Sequence, residues 1–147
     1  MSDDSQTLKA RLSAAADQLE QLNRTNRVPD GEYGFIDVPH GWSLIVADLH
    51  QQLVARWPSY EVNNVMDLYG ELRYYCSVEN FPEARKLIDQ AEQQAARTCQ
   101  VCGRGGKLRE MGTLWATLCD DLNAYFQAGE PLWMHVRNRT CQADGPL

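Results

Sequence analysis

Apolar residues along the chain alternate between two periods. Leu8, Leu12, Ala15, Leu19 and Leu22 recur at 4-3-4-3 spacing, which lines one face of a helix and predicts an element over 5–23. The spacing is heptad-like for only about two heptads, short of the three or four a coiled coil sustains. It therefore reads as a helix packed on its own domain before it reads as a dimer seam, and monomer and homodimer both stay open. Asn26 to Gly34, with Pro29, Asp30, Gly31 and Gly34, reads as loop. Trp42, Ile45, Val46, Leu49, Leu53 and Trp57 return to helical spacing over 41–57, and Pro58 ends that element.

The period then drops to two. A hairpin is expected over 60–79, with Val62, Met66 and Leu68 in phase on the first strand and Tyr69-Gly70 in the turn. On the second strand Leu72, Tyr74, Cys76 and Val78 alternate with Arg73, Tyr75, Ser77 and Glu79. This phase puts Cys76 on the apolar side as a core thiol. It puts Arg73 and Tyr75 on the other side, where they become candidate binding residues unless a helix covers that face. A third helix is expected over 81–97, begun either by an Asn80/Glu83 capping box or by Pro82 at the first helical position. Ala84, Leu87, Ile88, Ala91 and Ala95 form its core face. His40 and His50 have no nucleophile near them in sequence, and His50 reads as a surface or core-edge histidine.

Composition narrows the class. The 147 residues are 44% hydrophobic, an ordinary value for one globular domain. No apolar run approaches a membrane span, and the acidic start MSDDSQTLKA does not resemble a secretory signal, so a cytoplasmic protein is expected. The net charge of −6 argues against a general nucleic-acid coat, but it is unevenly spread. Residues 1–96 hold 8 basic and 15 acidic side chains, whereas residues 97–147 hold 6 and 5. Arg97, Arg104, Lys107 and Arg109 cluster there, either as a solvated surface or as a small basic patch.

Five cysteines are many for such a chain. Cys99-Gln-Val-Cys102-Gly103 has the spacing of a knuckle, in which backbone amides turn toward two sulfurs that bind one metal. Sixteen residues separate Cys102 from Cys119. A short hairpin, Lys107-Leu108-Arg109 then Leu114 to Leu118, can be read between them. Asp120, Asp121, Leu122, Tyr125 and Phe126 suit a helix that Cys119 opens. Knuckle, hairpin and cysteine at a helix start is the order of a treble-clef zinc site, and a helix N-terminus favours the thiolate. A treble clef wants Cys or His three residues after Cys119, where this chain has Leu122. Cys141 is the first choice as fourth ligand, with His135 second and Asp121 third; Trp133 and Val136 could anchor the returning tail. A Cys99–Cys102 disulfide lacks a thioredoxin-like context. A site that has lost its metal along with its fourth ligand is the other alternative.

Several of these segments resemble a loose group of small bacterial, phage and prophage proteins. The shared pattern is Gly41-Trp42 opening a helix, the hairpin Tyr69-Gly70-Glu71-Leu72-Arg73-Tyr74-Tyr75, an alanine-rich Ala91–Arg97 stretch, Cys99 to Gly103, and Trp115-Ala116-Thr117-Leu118-Cys119-Asp120. The resemblance covers about residues 41–122. In similar sequences a His or Cys often stands where this chain has Leu122. The resemblance implies a zinc-bearing fold and an accessory role toward host machinery or host defence.

The expected fold class is α+β, a small antiparallel sheet packed against helices with a C-terminal zinc-knuckle, treble-clef-like element. Residues 1–97 form the core domain and 98–147 the zinc-knuckle segment with a short helix and tail. The expected metal ligands are Cys99, Cys102, Cys119 and Cys141 around a structural zinc. The expected function is non-enzymatic, an interaction protein docking on a host protein, of which a phage- or mobile-element-encoded inhibitor is one form. The alternative is a nucleic-acid-binding zinc module using Arg97, Arg104, Lys107 and Arg109.

Overall fold

The structure, a computed structural model, describes residues 2–25 and 35–129. Helix α1 (Ser2–Thr25) turns Leu12, Ala15 and Leu19 inward, the stripe expected from their spacing. Strand β1 (Phe35–Asp37) follows, then a 3₁₀ turn (His40–Trp42) and α2 (Ser43–Arg56). Strands β2 (Val62–Leu68) and β3 (Glu71–Cys76) form the hairpin, and α3 (Pro82–Ala95) packs back on it. Strands β4 (Lys107–Met111) and β5 (Leu114–Leu118) make a second hairpin that leads into α4 (Asp120–Gln127). The fold is α+β, and among the described residues it carries two separate small sheets.

The first sheet departs from the expected all-antiparallel arrangement. Its order is β1-β2-β3, with β1 parallel to β2 and β2 antiparallel to β3. At three residues β1 is too short to show a period of two, so its pattern carried no signal. It is held by the Asn23 side chain, which donates to the Ile36 carbonyl (2.7 Å) and accepts from the Ile36 N–H (2.6 Å).

The phase expected for β2 needs correction. A register irregularity between Val62 and Asn64 shifts the alternation. Val62 and Val65 are buried, while Met66 is half-buried and Leu68 exposed. A bulge adds one residue to a strand and so reverses the side-chain phase beyond it. On β3 the phase is as expected: Leu72, Tyr74 and Cys76 are buried. The Tyr69-Gly70 turn has positive φ at both residues (54° and 82°), and the Asp67 carboxylate accepts the Gly70 N–H. Helix α3 starts with Pro82 behind an extended Phe81, with no side-chain cap, so proline and not the capping box begins it.

Twenty buried residues from α1, α2, α3 and the first sheet make one core cluster, with Trp42, Tyr74, Leu53 and Ile88 at its centre. A second, smaller cluster lies in the cysteine region: Cys99, Val101, Cys102, Ala116, Leu118, Leu122 and Phe126.

Candidate metal centre

The end of α3 delivers the chain into the knuckle. Thr98 pairs with Gly105 across it, the Cys99 N–H donates to the Arg104 carbonyl (2.6 Å), and the Gly103 N–H donates to the Cys99 carbonyl (3.0 Å). Gly103 makes the return at φ 79°, a conformation that disfavours any residue with a Cβ. The β4–β5 hairpin then carries the chain back to Cys119, which sits in extended conformation as the N-cap of α4.

This path brings the sulfurs of Cys99, Cys102 and Cys119 within 4.8 Å of one another. Cys99 and Cys102 are buried and Cys119 is half-buried. Three close cysteines in this arrangement could hold a metal ion. Among the described residues no carboxylate or histidine joins the group, so Asp121 is not part of it.

The surrounding backbone favours thiolate. The Cys99 sulfur accepts a hydrogen bond from the Cys119 thiol and further bonds from the amides of Cys102, Cys119 and Val101, which together bring its pKa down to about 6 against the opposing effect of burial. Cys119 is pushed the other way, by donating to Cys99 and by burial, although the Asp121 and Leu122 amides at the start of α4 point at its sulfur. Two sulfurs that share one proton at close range are a pair that a dication can bridge by displacing that proton. Cys99 and Cys102 are not joined to each other. Cys99 and Cys119 are thiols, whereas Cys102 is disulfide-bonded, to neither of them nor to Cys76. A metal-holding form therefore requires Cys102 reduced. Cys76 is a buried core thiol, with burial pushing its pKa up.

Leu122 has no exposed surface and lies in the small core with Leu118 and Phe126. The position where a treble clef would want a ligand is here a packing residue. Cys141 and His135, the first and second choices for a fourth ligand, lie outside the described residues, as do Trp133 and Val136.

Contacts that the sequence did not foretell tie the knuckle to the main core. Gln100, buried between the two knuckle cysteines, accepts the Thr117 N–H (2.5 Å) and donates through Nε2 to Asp67 (3.1 Å). Its own N–H reaches the Thr117 carbonyl (2.8 Å), and its carbonyl accepts the Gly41 N–H (2.7 Å). The Thr117 hydroxyl donates to the Gly70 carbonyl (2.8 Å), and Trp42 Nε1 donates to the Thr98 carbonyl (2.9 Å). A Cβ at Gly41 would stand 2.1 Å from the Cys99 carbonyl oxygen, so glycine is required for this close approach. Gly41, Trp42, Gly70 and Thr117 stood in motifs read from the sequence, but nothing there marked them as one seam. The Gln100–Asp67 partnership spans 33 residues and leaves no local pattern.

The expected binding residues are dispersed. Arg109 is largely covered: its Nε donates to the Leu118 carbonyl (3.1 Å) and its guanidinium pairs with Asp120 (2.6 Å) beside Cys119. Arg109 thus ties the end of β5 to the start of α4 on either side of Cys119. Lys107 is exposed and Arg104 half-buried in the knuckle. Arg73, paired with Glu71, and Tyr75 lie on the outer face of the first sheet, half-buried and partly exposed respectively.

No helix of the described residues is long and apolar enough to cross a membrane. Comparison with protein-family models, with curated proteins and with solved structures gives no match.

Proposed function

We propose that this is a non-enzymatic interaction protein whose C-terminal region is held by one structural zinc and whose surface docks on another protein. The cysteine triad is the observation that carries the reading. Sulfur-only donors select soft or borderline metals, and a thiolate-rich tetrahedral set is the usual form of closed structural zinc sites. Cys141 or His135 would supply the fourth ligand. Catalytic zinc needs an open position beside a general base, and no base joins the triad among the described residues.

A mixed apolar surface supports the docking role. Gly70 approaches Leu108 and Ala116, so the β2–β3 turn meets the β4–β5 hairpin. Tyr69 (71% exposed), Leu108 and Trp115 flank that contact. Tyr69 holds a left-handed backbone conformation that costs a non-glycine residue stability, while its side chain gains little packing in return. Exposed Tyr and Trp are the residue types most used as binding anchors. An inhibitor encoded by a phage or other mobile element, acting on a host or defence protein, is the specific form we favour from the sequence resemblance.

The nucleic-acid alternative is weaker because Arg109 is committed to Asp120 and Leu118. Two measurements test the choice. Reduced protein is expected to carry one zinc per chain and to give a flat gel-shift titration with DNA and RNA at low salt. A partner is expected to be captured in the presence of nuclease by the wild type and by Val54→Ser, but not by Tyr69→Ser or Trp115→Ser. Salt-steep nucleic-acid binding lost in Arg104→Ala and Lys107→Ala would replace this reading with the alternative.

A further inference from the structure

A cleft outside the cysteine triad opens between α1 and α2. Its volume is about 300 Å³; Leu19, Leu22 and Ala47 form its apolar walls, and His50, Thr25 and three glutamines of α1 and α2 complete the lining. That volume is at the small end of ligand pockets, which typically combine apolar walls with one or a few oriented polar groups. No lysine, arginine or carboxylate lines it among the described residues.

A hydrogen-bond chain orients the polar group. His50 Nδ1 bonds the Tyr60 hydroxyl, and the Tyr60 hydroxyl bonds that of Tyr74 at 2.9 Å. The direction of the chain follows from its buried end. Tyr74 is almost fully buried, and Tyr60 is the one hydrogen-bond partner of its hydroxyl among the described residues. If Tyr60 donated to Tyr74, the Tyr74 proton would be buried without an acceptor, at a cost comparable to a lost hydrogen bond. Tyr74 therefore donates to Tyr60, and Tyr60 donates to His50 Nδ1. Burial holds His50 toward its neutral form, so its one ring proton is on Nε2. Nε2–H is then the only polar atom of the ring left to serve the cleft.

The geometry points to a binding site for a small, neutral, largely apolar molecule with one carbonyl acceptor, received by His50 Nε2–H against the Leu19, Leu22 and Ala47 wall. A carboxylate is disfavoured because the cleft has no cation to pair with it. An apolar cleft alone would take any hydrocarbon of fitting shape, whereas a fixed donor makes it discriminate.

The test titrates the 147-residue chain with acetophenone and with its near-isostere α-methylstyrene, followed by amide shifts and the His50 ring-nitrogen shift in NMR. Acetophenone is expected to cause saturable shifts confined to residues 18–25 and 47–51, to move His50 Nε2, and to bind about three- to tenfold tighter than the isostere, the worth of one net hydrogen bond. His50→Phe is expected to erase the preference. Should that variant fold poorly, Leu22→Trp, which fills the cleft, is expected to abolish binding of both probes. The inference is overturned if the wild type shows no saturable shift. It is equally overturned if the two probes bind alike, or if either variant binds as the wild type does.

Discussion

The two ends of this molecule hold their shape by different means. The body buries twenty residues in one cluster fed by three helices and a sheet. Among the described residues the cysteine end buries seven, two of which are the knuckle cysteines. A segment of that size cannot bury enough apolar surface to fold alone, and small domains in this position use metals or disulfides instead. Here the end is supported twice: by the sulfur cluster inside it, and by the Gln100, Thr117, Gly41 and Trp42 hydrogen bonds that dock it on the body. A small cluster can hold its shape when a preformed neighbour shares the work.

Four perturbations separate the two supports, beginning with the largest. Chelation of zinc from the reduced protein is expected to cost about 4 kcal/mol relative to a zinc level 1,000-fold above Kd. That is a Tm decrease of roughly 10–15 °C for a chain of this length. Calorimetry with and without a chelator reads it, and an unchanged Tm would mean that the end does not depend on metal. Ile88→Ala, in the body, is expected to cost about 2–5 kcal/mol by cavity formation while leaving the zinc stoichiometry intact. Loss of zinc in that folded variant would show that the two regions are one unit.

Thr117→Val, at the seam, removes the donor to the Gly70 carbonyl. It is expected to cost about 1–3 kcal/mol by leaving a buried acceptor unsatisfied, and to shift amide resonances on both sides of the seam. Shifts confined to β5 would argue that the seam does not transmit.

The smallest effect is in pH dependence of the metal-free body. Burial lowers the pKa of both His40 and His50 from 6.5. Between 6.5 and those lowered values the unfolded chain binds more protons than the folded one, so stability present above pH 6.5 declines as the pH falls. Cys99, whose pKa falls from 9.0 to about 6, contributes in the same direction, so denaturant titrations from pH 7.5 to 5.5 are expected to show that slope, reduced in part by His50→Asn. A slope unaffected by that substitution would assign the proton uptake to other groups.

Local order was legible where a repeating pattern was long enough. The stripes of α1, α2 and α3, the strand phase that buries Cys76, and the sequence knuckle, hairpin, Cys119-capped helix all follow from spacing within single elements. The misses share a physical cause. β1 is three residues held by an asparagine side chain, the β2 bulge is one inserted residue, and the Gln100–Asp67 and Thr117–Gly70 bonds join segments far apart in the chain. None of these writes a period into the sequence. Leu122 illustrates the converse: as a departure from a metal-binding pattern it was conspicuous, but only its burial beside Leu118 and Phe126 explains it as a core residue.

The most direct test is elemental analysis of the reduced protein across a cysteine series. The account predicts one zinc per chain in the wild type and in Cys76→Ser, and its loss in Cys99→Ser, Cys102→Ser and Cys119→Ser. Absence of metal from the reduced wild type, or full zinc retained in Cys99→Ser or Cys102→Ser, would contradict it.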